Sequence, residues 1–238
     1  MLKAVFFDLD GTLLPLDEDQ FIKIYFKLLC KRLAPYGYEP EKLVDVVWQG
    51  TRKMYANDGS ITNEEAFWNN FEKMYGKEKL NDKPIVDEFY LQEFKEVQKS
   101  CAPNPLAAEI VKYCRDNNLL VVLSTNPLFP KNGTLTRIGF IGLSENDFDY
   151  ITTYENSSFS KPNPKYFQGL LDKFNLKGDE VILFGNNTLE DGDCSFACGI
   201  KCYMVGDFVI NHNKAHGEYE HINMDEVIPT ISKHLKKY

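Results

Sequence analysis

Ala4-Val5-Phe6-Phe7-Asp8-Leu9-Asp10-Gly11-Thr12 is the stretch that decides the reading of this chain. Four apolar residues predict a short buried strand, and two carboxylates follow immediately at its end. Alternation along extended backbone places Asp8 and Asp10 on the same side. Gly11 lets the chain turn sharply, and Thr12 can cap or contact what lies beyond. With two acids so placed, one can attack while the other moves protons, which is the arrangement phosphoryl transfer asks for. Asp-x-Asp-Gly also opens calcium loops, but the glutamate such a loop needs at its twelfth position would fall at Asp19, and the preceding segment is strand-like rather than helical.

Three later segments extend the pattern. Val121-Val122-Leu123-Ser124-Thr125-Asn126 is a buried strand ending in hydroxyl and amide groups. Lys161 stands in Ser160-Lys161-Pro162-Asn163-Pro164, read as a lysine at the start of a helix. Val181-Ile182-Leu183-Phe184-Gly185-Asn186-Asn187-Thr188-Leu189-Glu190-Asp191 is a further strand followed by an acidic loop. Each is weak alone, but four in this order over nearly the whole chain resemble the haloacid dehalogenase-like hydrolases, whose first motif is Asp-x-Asp-x-Thr after a hydrophobic strand.

Around these motifs, β-α alternation predicts strands near Ala4 to Phe7, Leu119 to Ser124, Tyr150 to Thr153, Glu180 to Phe184 and Lys201 to Val205. Alternation of this kind gives an α/β fold, a doubly wound Rossmann-like parallel sheet covered by helices. Asn104-Pro105 and Asn163-Pro164 read as helix starts, with Ile110, Val111 and Cys114 on one buried face. Ligands of open parallel sheets gather beyond the carboxyl ends of the strands, where all four motifs lie.

Residues 15–103 differ, being helical in period, rich in aromatics from Phe21 to Tyr75 and without a convincing strand. They read as an inserted α-helical cap lobe, with 1–14 and 104–238 forming the catalytic core. Thr62-Asn63-Glu64-Glu65 marks one helix start. Aromatic stripes at helical spacing are expected to be core for most of their rings. In the resembling family such an insertion closes over the site and selects the substrate.

Composition excludes other classes. With 238 residues and 43% hydrophobic content the chain can bury one good core, or one core and a smaller lobe. A net charge of −8 and no long basic run argue against nucleic acid; Lys233, Lys236 and Lys237 only solvate a terminus. No apolar stretch is long enough for a bilayer span and no signal peptide is visible, so no membrane is expected and the location is expected to be cytoplasmic. Cys30, Cys101, Cys114, Cys194, Cys198 and Cys202 contain no Cys-x-x-Cys pair and read as reduced, partly buried thiols. His212, His216 and His221 read as a surface loop rather than a metal cluster. Nothing in the sequence carries a signature of oligomeric state.

What the resemblance implies is a phosphatase acting on a small phosphorylated metabolite. Asp8 would be the nucleophile, Asp10 the acid and base, Thr125 and Asn126 the hydrogen-bonding contacts of the phosphoryl group, and Lys161 its fixed cation. Asp8 and a phosphate repel each other, so Mg2+ is expected between them, on Asp8, Asp10, Asn186 and Asp191. The fourth motif departs from the family here: Gly185 is followed by Asn186 and Asn187 where an acid is usual, which removes one negative charge from the metal site. Asp191 is preferred over Glu190 as the retained acid. A metal-free 2-haloacid dehalogenase, a phosphomutase and a catalytically weak phospho-ligand-binding module are the alternatives. Asp10 speaks against the dehalogenase, which has no leaving group to protonate.

Overall fold

The computed structural model describes residues 1–212 and 218–236. The opening apolar run is strand β1 (Ala4–Phe7), fully buried, and it lies in the middle of a six-stranded sheet whose pairs are all parallel. The other strands are β2 (Leu120–Leu123), β3 (Tyr150–Ile151), β4 (Val181–Gly185), β5 (Lys201–Val205) and β6 (His221–Ile222). Their spatial order, β3-β2-β1-β4-β5-β6, is the doubly wound Rossmann order. The sheet reverses its winding between β1 and β4, so the crevice for a ligand opens where β1 ends, at Asp8.

Alternation along β1 divides the core. Val5 and Phe7 pack on one side with Ile110, Val111 and Cys114 of α5 (Leu106–Asp116) and Ile231 of α9 (Val227–Leu235). Ala4 and Phe6 pack on the other with Phe167, Leu170 and Leu171 of α7 (Lys165–Phe174). Asn104 and Asn163 begin α5 and α7 as expected, each accepting an amide hydrogen bond two residues on, at Leu106 and Lys165.

Between β1 and α5 the chain is helical: α1 (Glu18–Leu33), α2 (Pro40–Tyr55), α3 (Asn63–Tyr75), α4 (Lys83–Leu91) and a 3-10 run Glu93–Ser100. Asp17 caps α1, and Thr62 with Glu65 forms a reciprocal capping box on α3. The chain leaves and re-enters the sheet side by side, through an antiparallel bridge between Leu16 and Cys101. One hydrophobic core runs unbroken from Val5, Phe7 and Leu123 to Leu33, Leu43 and Phe71 of the helices. A buried amide network adds to it: Asn63 donates to the Ser160 hydroxyl at 3.0 Å and the Pro127 carbonyl at 3.1 Å.

Some expectations need correction. β6, two residues long, was absent from the sequence reading because a run of that length carries no period. Lys161 is not at the start of a helix; two prolines follow it, the Lys161-Pro162 peptide is cis, and α7 begins only at Lys165. Most of the aromatics pack in or against the core, as expected. Trp48 and Tyr55 are exposed, and several other rings line a cavity described below. All six cysteines are free, with Cys114, Cys194 and Cys202 buried. His221 is exposed, and the amide of His212 donates to Thr188; His216 and Lys237 lie outside the described residues. Among the described residues no helix is long and apolar enough to cross a membrane.

Candidate active site

The carboxyl ends of β1, β2 and β4 bring three of the four motifs together, and the turn at Lys161 brings the fourth. Asp8 is tied to the sheet by its amide, which donates to the Phe184 carbonyl at 2.9 Å. Its side chain is buried and accepts from the Lys161 ammonium at 2.7 Å and the Thr12 hydroxyl at 3.1 Å. Lys161 is 1% exposed and donates also to Asp191 Oδ1 at 2.6 Å. The other oxygen of Asp191 accepts the amides of Asn186 at 3.1 Å and Asn187 at 3.0 Å. Both oxygens of Asp191, expected on the metal, are thus engaged in holding Lys161 and the fourth-motif loop. Gly185 makes this possible: a Cβ there would lie 2.4 Å from the Asp191 carboxyl carbon.

Asp10 forms an ion pair with Arg137 of α6 (Lys131–Gly139), an arginine 1% exposed whose guanidinium stacks on the Phe129 ring at 4.4 Å. The other oxygen of Asp10 is buried without a hydrogen-bond partner. The sequence reading missed Arg137, since one basic residue near a helix end ordinarily reads as solvated. Asn186 donates its amide nitrogen to the Phe208 carbonyl at 2.9 Å, which leaves its oxygen for a cation. It sits against Gly11, whose φ is +81°; a Cβ at Gly11 would fall 2.0 Å from the Asn186 amide nitrogen. Only glycine meets both demands. Asn187 turns away, its oxygen capping Leu189 and Glu190.

Thr125 is buried at the end of β2, its carbonyl fixed by Thr152 at 2.7 Å and Tyr166 at 2.9 Å. Asn126 donates to Glu190 at 2.9 Å, while its own oxygen is buried and unpaired. Tyr55, at the end of α2, donates to the other oxygen of Glu190 at 3.2 Å, joining helical segment to sheet at the rim. Burial raises Glu190 above its ordinary value despite the Lys161 charge.

Electrostatics make this a site that wants a cation. Burial opposes the Lys161 charge, but Asp191 and Asp8 outweigh it and hold the ammonium well above its usual value. For Asp8, burial dominates: it pushes the carboxyl from 3.8 up to about 7, against Lys161 and with the Asp191 charge adding to it. Among the described residues, four carboxylates, Asp8, Asp10, Glu190 and Asp191, stand with two cations, Lys161 and Arg137. Among the described residues no three acidic, His or Cys side chains converge as a closed cage. Mg2+ does not require one, since it keeps several waters and takes one or two carboxylates plus substrate oxygens. The Asn186 oxygen left open and the net negative charge fit such an ion.

The raised Asp8 value has a measurable consequence. A carboxyl whose folded value lies above its unfolded one lowers stability as pH rises from about 4 to about 7. Asp8→Asn cannot titrate, so in EDTA its stability relative to wild type should rise by about 2 kcal/mol between about pH 5 and pH 7.5. Urea unfolding at both pH values reads this difference; a variant that tracks wild type at both would mean Asp8 is charged without penalty.

The profile of haloacid dehalogenase-like hydrolases matches residues 2–191, from the strand carrying Asp8 to Asp191 itself. The chain belongs to the haloacid dehalogenase-like hydrolase family. It is 24% identical over 237 residues to a glyceraldehyde 3-phosphate phosphatase of Methanothermobacter thermautotrophicus, covering 98% of each chain. Its fold is similar to a 2-haloacid dehalogenase from Pseudomonas syringae pv. Tomato, with a TM-score of 0.65, 16% identity and coverage of 98% and 99%. It is also similar to a HAD phosphatase from Thermococcus onnurineus, with a TM-score of 0.57, 18% identity and coverage of 97% and 98%. At these identities the structural likeness speaks for the fold of this hydrolase alone.

Proposed function

We propose that this hydrolase is a magnesium-dependent phosphatase that cleaves a phosphomonoester through an aspartyl-phosphate at Asp8. The observation that carries the proposal is the pairing of a buried, lysine-held carboxylate with a second acid two residues on that keeps one oxygen free of partners. The likeness to a phosphatase over the full chain supports it.

In this reading Asp8 attacks phosphorus, forming an acyl phosphate as the ester P–O bond breaks, and Asp10 gives its proton to the departing alkoxide. Asp10 then takes a proton from the water that attacks the acyl phosphate, releasing inorganic phosphate and restoring Asp8. Arg137 orients Asp10 through one oxygen and leaves the other toward the leaving group. Lys161, fixed by Asp191, holds Asp8 and stabilises charge on the phosphoryl oxygens, with Thr125 as a neutral donor; the amide nitrogen of Asn126, expected in that role, is committed to Glu190 and the Lys161 carbonyl. Mg2+ held by Asp8 and the Asn186 oxygen would neutralise the repulsion between carboxylate and phosphate, leaving the free oxygen of Asp10 for the proton.

The test is phosphate release from an aryl phosphate near neutral pH, expected with Mg2+ and lost in EDTA; activity surviving complete chelation sinks the mechanism. A second reading, a 2-haloacid dehalogenase working through an ester at Asp8, is favoured by the neutral Asn186 and opposed by Asp10. Chloride release from 2-chloropropionate without phosphatase activity would select it.

Asn186 gives the most specific expectation. Asn186→Asp restores a charge beside the cation and should lower the Mg2+ concentration for half-maximal activity by about tenfold. Asp191→Asn should raise it by weakening the loop that carries Asn186. If both Mg2+ activation curves superimpose on wild type, the ligands lie elsewhere.

A further inference from the structure

The chemistry at Asp8 occupies one end of a single cavity of about 670 Å³, and the rest of that cavity is of another character. Its walls are the rings of Phe21, Tyr25, Phe26, Trp48, Phe67 and Phe129, with aliphatic side chains of α1 and α2 between them. This volume is in the range that holds a drug-sized ligand. The ionisable groups gather around Asp8. Glu18 lies near enough to Asp10 to feel its charge, and Glu190 is bound by Tyr55 and Asn126.

The polar atoms set among the rings are already engaged with one another. The Tyr25 and Tyr90 hydroxyls share a hydrogen bond of 2.9 Å. Trp68 donates its indole N–H to the Tyr154 hydroxyl at 3.2 Å, and Thr51 donates to the Val47 carbonyl at 3.0 Å. A sugar or glycerol moiety entering here would give up its water for walls with few polar atoms, each already in one hydrogen bond, a penalty for every hydroxyl left without a partner. A hydrocarbon gives up nothing, and apolar walls of this kind hold water poorly. The cavity is therefore amphipathic in the sense of one ligand: charged at Asp8, Lys161 and Asp10, and apolar beyond.

We propose that the substrate is the phosphomonoester of a bulky apolar alcohol, an extended alkyl or aryl chain, whose hydrocarbon fills the space between α1, α2 and α3 while its phosphate meets Asp8. The hydrolytic part of this proposal rests on the phosphatase reading; the apolar part rests on the cavity alone. It gives the expected small phosphorylated metabolite an apolar body. No new bond chemistry is needed: water cleaves the ester, and the products are inorganic phosphate and the apolar alcohol.

The experiment uses the full chain with Mg2+ and two matched series. Hydrolysis is followed for ethyl, butyl and hexyl phosphate beside glycerol phosphate, and binding of ethyl-, butyl- and hexylphosphonate is followed by calorimetry. Each methylene moved from water to an apolar wall is expected to raise kcat/KM and affinity about fourfold, so hexyl should exceed ethyl by about a hundredfold or more. Glycerol phosphate should fall with or below ethyl phosphate. Val47 faces the cavity from α2, and Val47→Phe is expected to flatten the dependence on chain length. If that variant does not fold, the wild-type series decides by itself. Hydrolysis with no gain along the series, or with glycerol phosphate preferred, overturns the apolar substrate and leaves the phosphatase standing. Absence of hydrolysis for every ester overturns the phosphatase reading. The phosphonate affinities then still judge the cavity, rising with chain length if it takes hydrocarbon and flat if it does not.

Discussion

Asp8→Asn is expected to lower kcat on any accepted phosphomonoester by about four to six orders of magnitude, the scale seen when a covalent nucleophile is removed. The amide keeps the shape of the carboxyl and can still accept from Lys161, so the protein should fold and bind phosphonates. Loss of turnover with retained binding separates the nucleophile from a structural acid. Steady-state rates on an aryl phosphate and calorimetry on the same preparation measure both. Near-normal turnover in Asp8→Asn would exclude attack by this side chain.

The second large effect is on stability. Lys161 lies 1% exposed between two carboxylates at 2.7 and 2.6 Å. Removing one partner of a buried ionic cluster leaves charge without compensation, and Lys161→Met should cost about 3–5 kcal/mol in EDTA near neutral pH. Two acids are stranded, so adding Asp8→Asn should recover part of the loss, and the double-mutant cycle should show coupling between the sites. Urea unfolding of the four proteins is the measurement. Additive effects, or a loss below about 1 kcal/mol, would mean that Lys161 is not the counter-charge that makes this burial tolerable. Activity should fall with it, by about a hundredfold to a thousandfold, since a preorganised contact to the transferring group is gone.

Much of this is legible in the sequence. The parallel sheet followed from β1, β2, β4 and β5, each a short apolar run long enough to count, and the placing of Asp8 at a strand end followed from the same runs. Asp8 and Asp10 were read from their place behind the first strand, Thr125, Lys161 and Asp191 from the family resemblance of the later motifs, and the fold gathers all five at one crevice. What sequence does not encode locally was missed. Arg137 reaches Asp10 across 127 positions, and its neighbours in Lys131–Gly139 give no sign that it is buried. The role of Asp191 depends on Gly185 admitting it beneath the loop, a steric fact invisible in the order of residues. The rings of α1, α2 and α3 have the spacing of core residues because they do face inward. Whether an inward face closes on itself or on a cavity depends on how the helices splay, which periodicity does not report.

The central claim is a covalent phosphoryl group on Asp8. Acid-quenching the enzyme during turnover of an aryl phosphate with Mg2+, and weighing the peptide that carries residues 1–14, tests it most directly. The account predicts a phosphoryl adduct on Asp8 in wild type, more of it in Asp10→Asn because the water step loses its base, and none in Asp8→Asn. Sustained phosphate release with no adduct in either wild type or Asp10→Asn, or an adduct on a different residue, would contradict it.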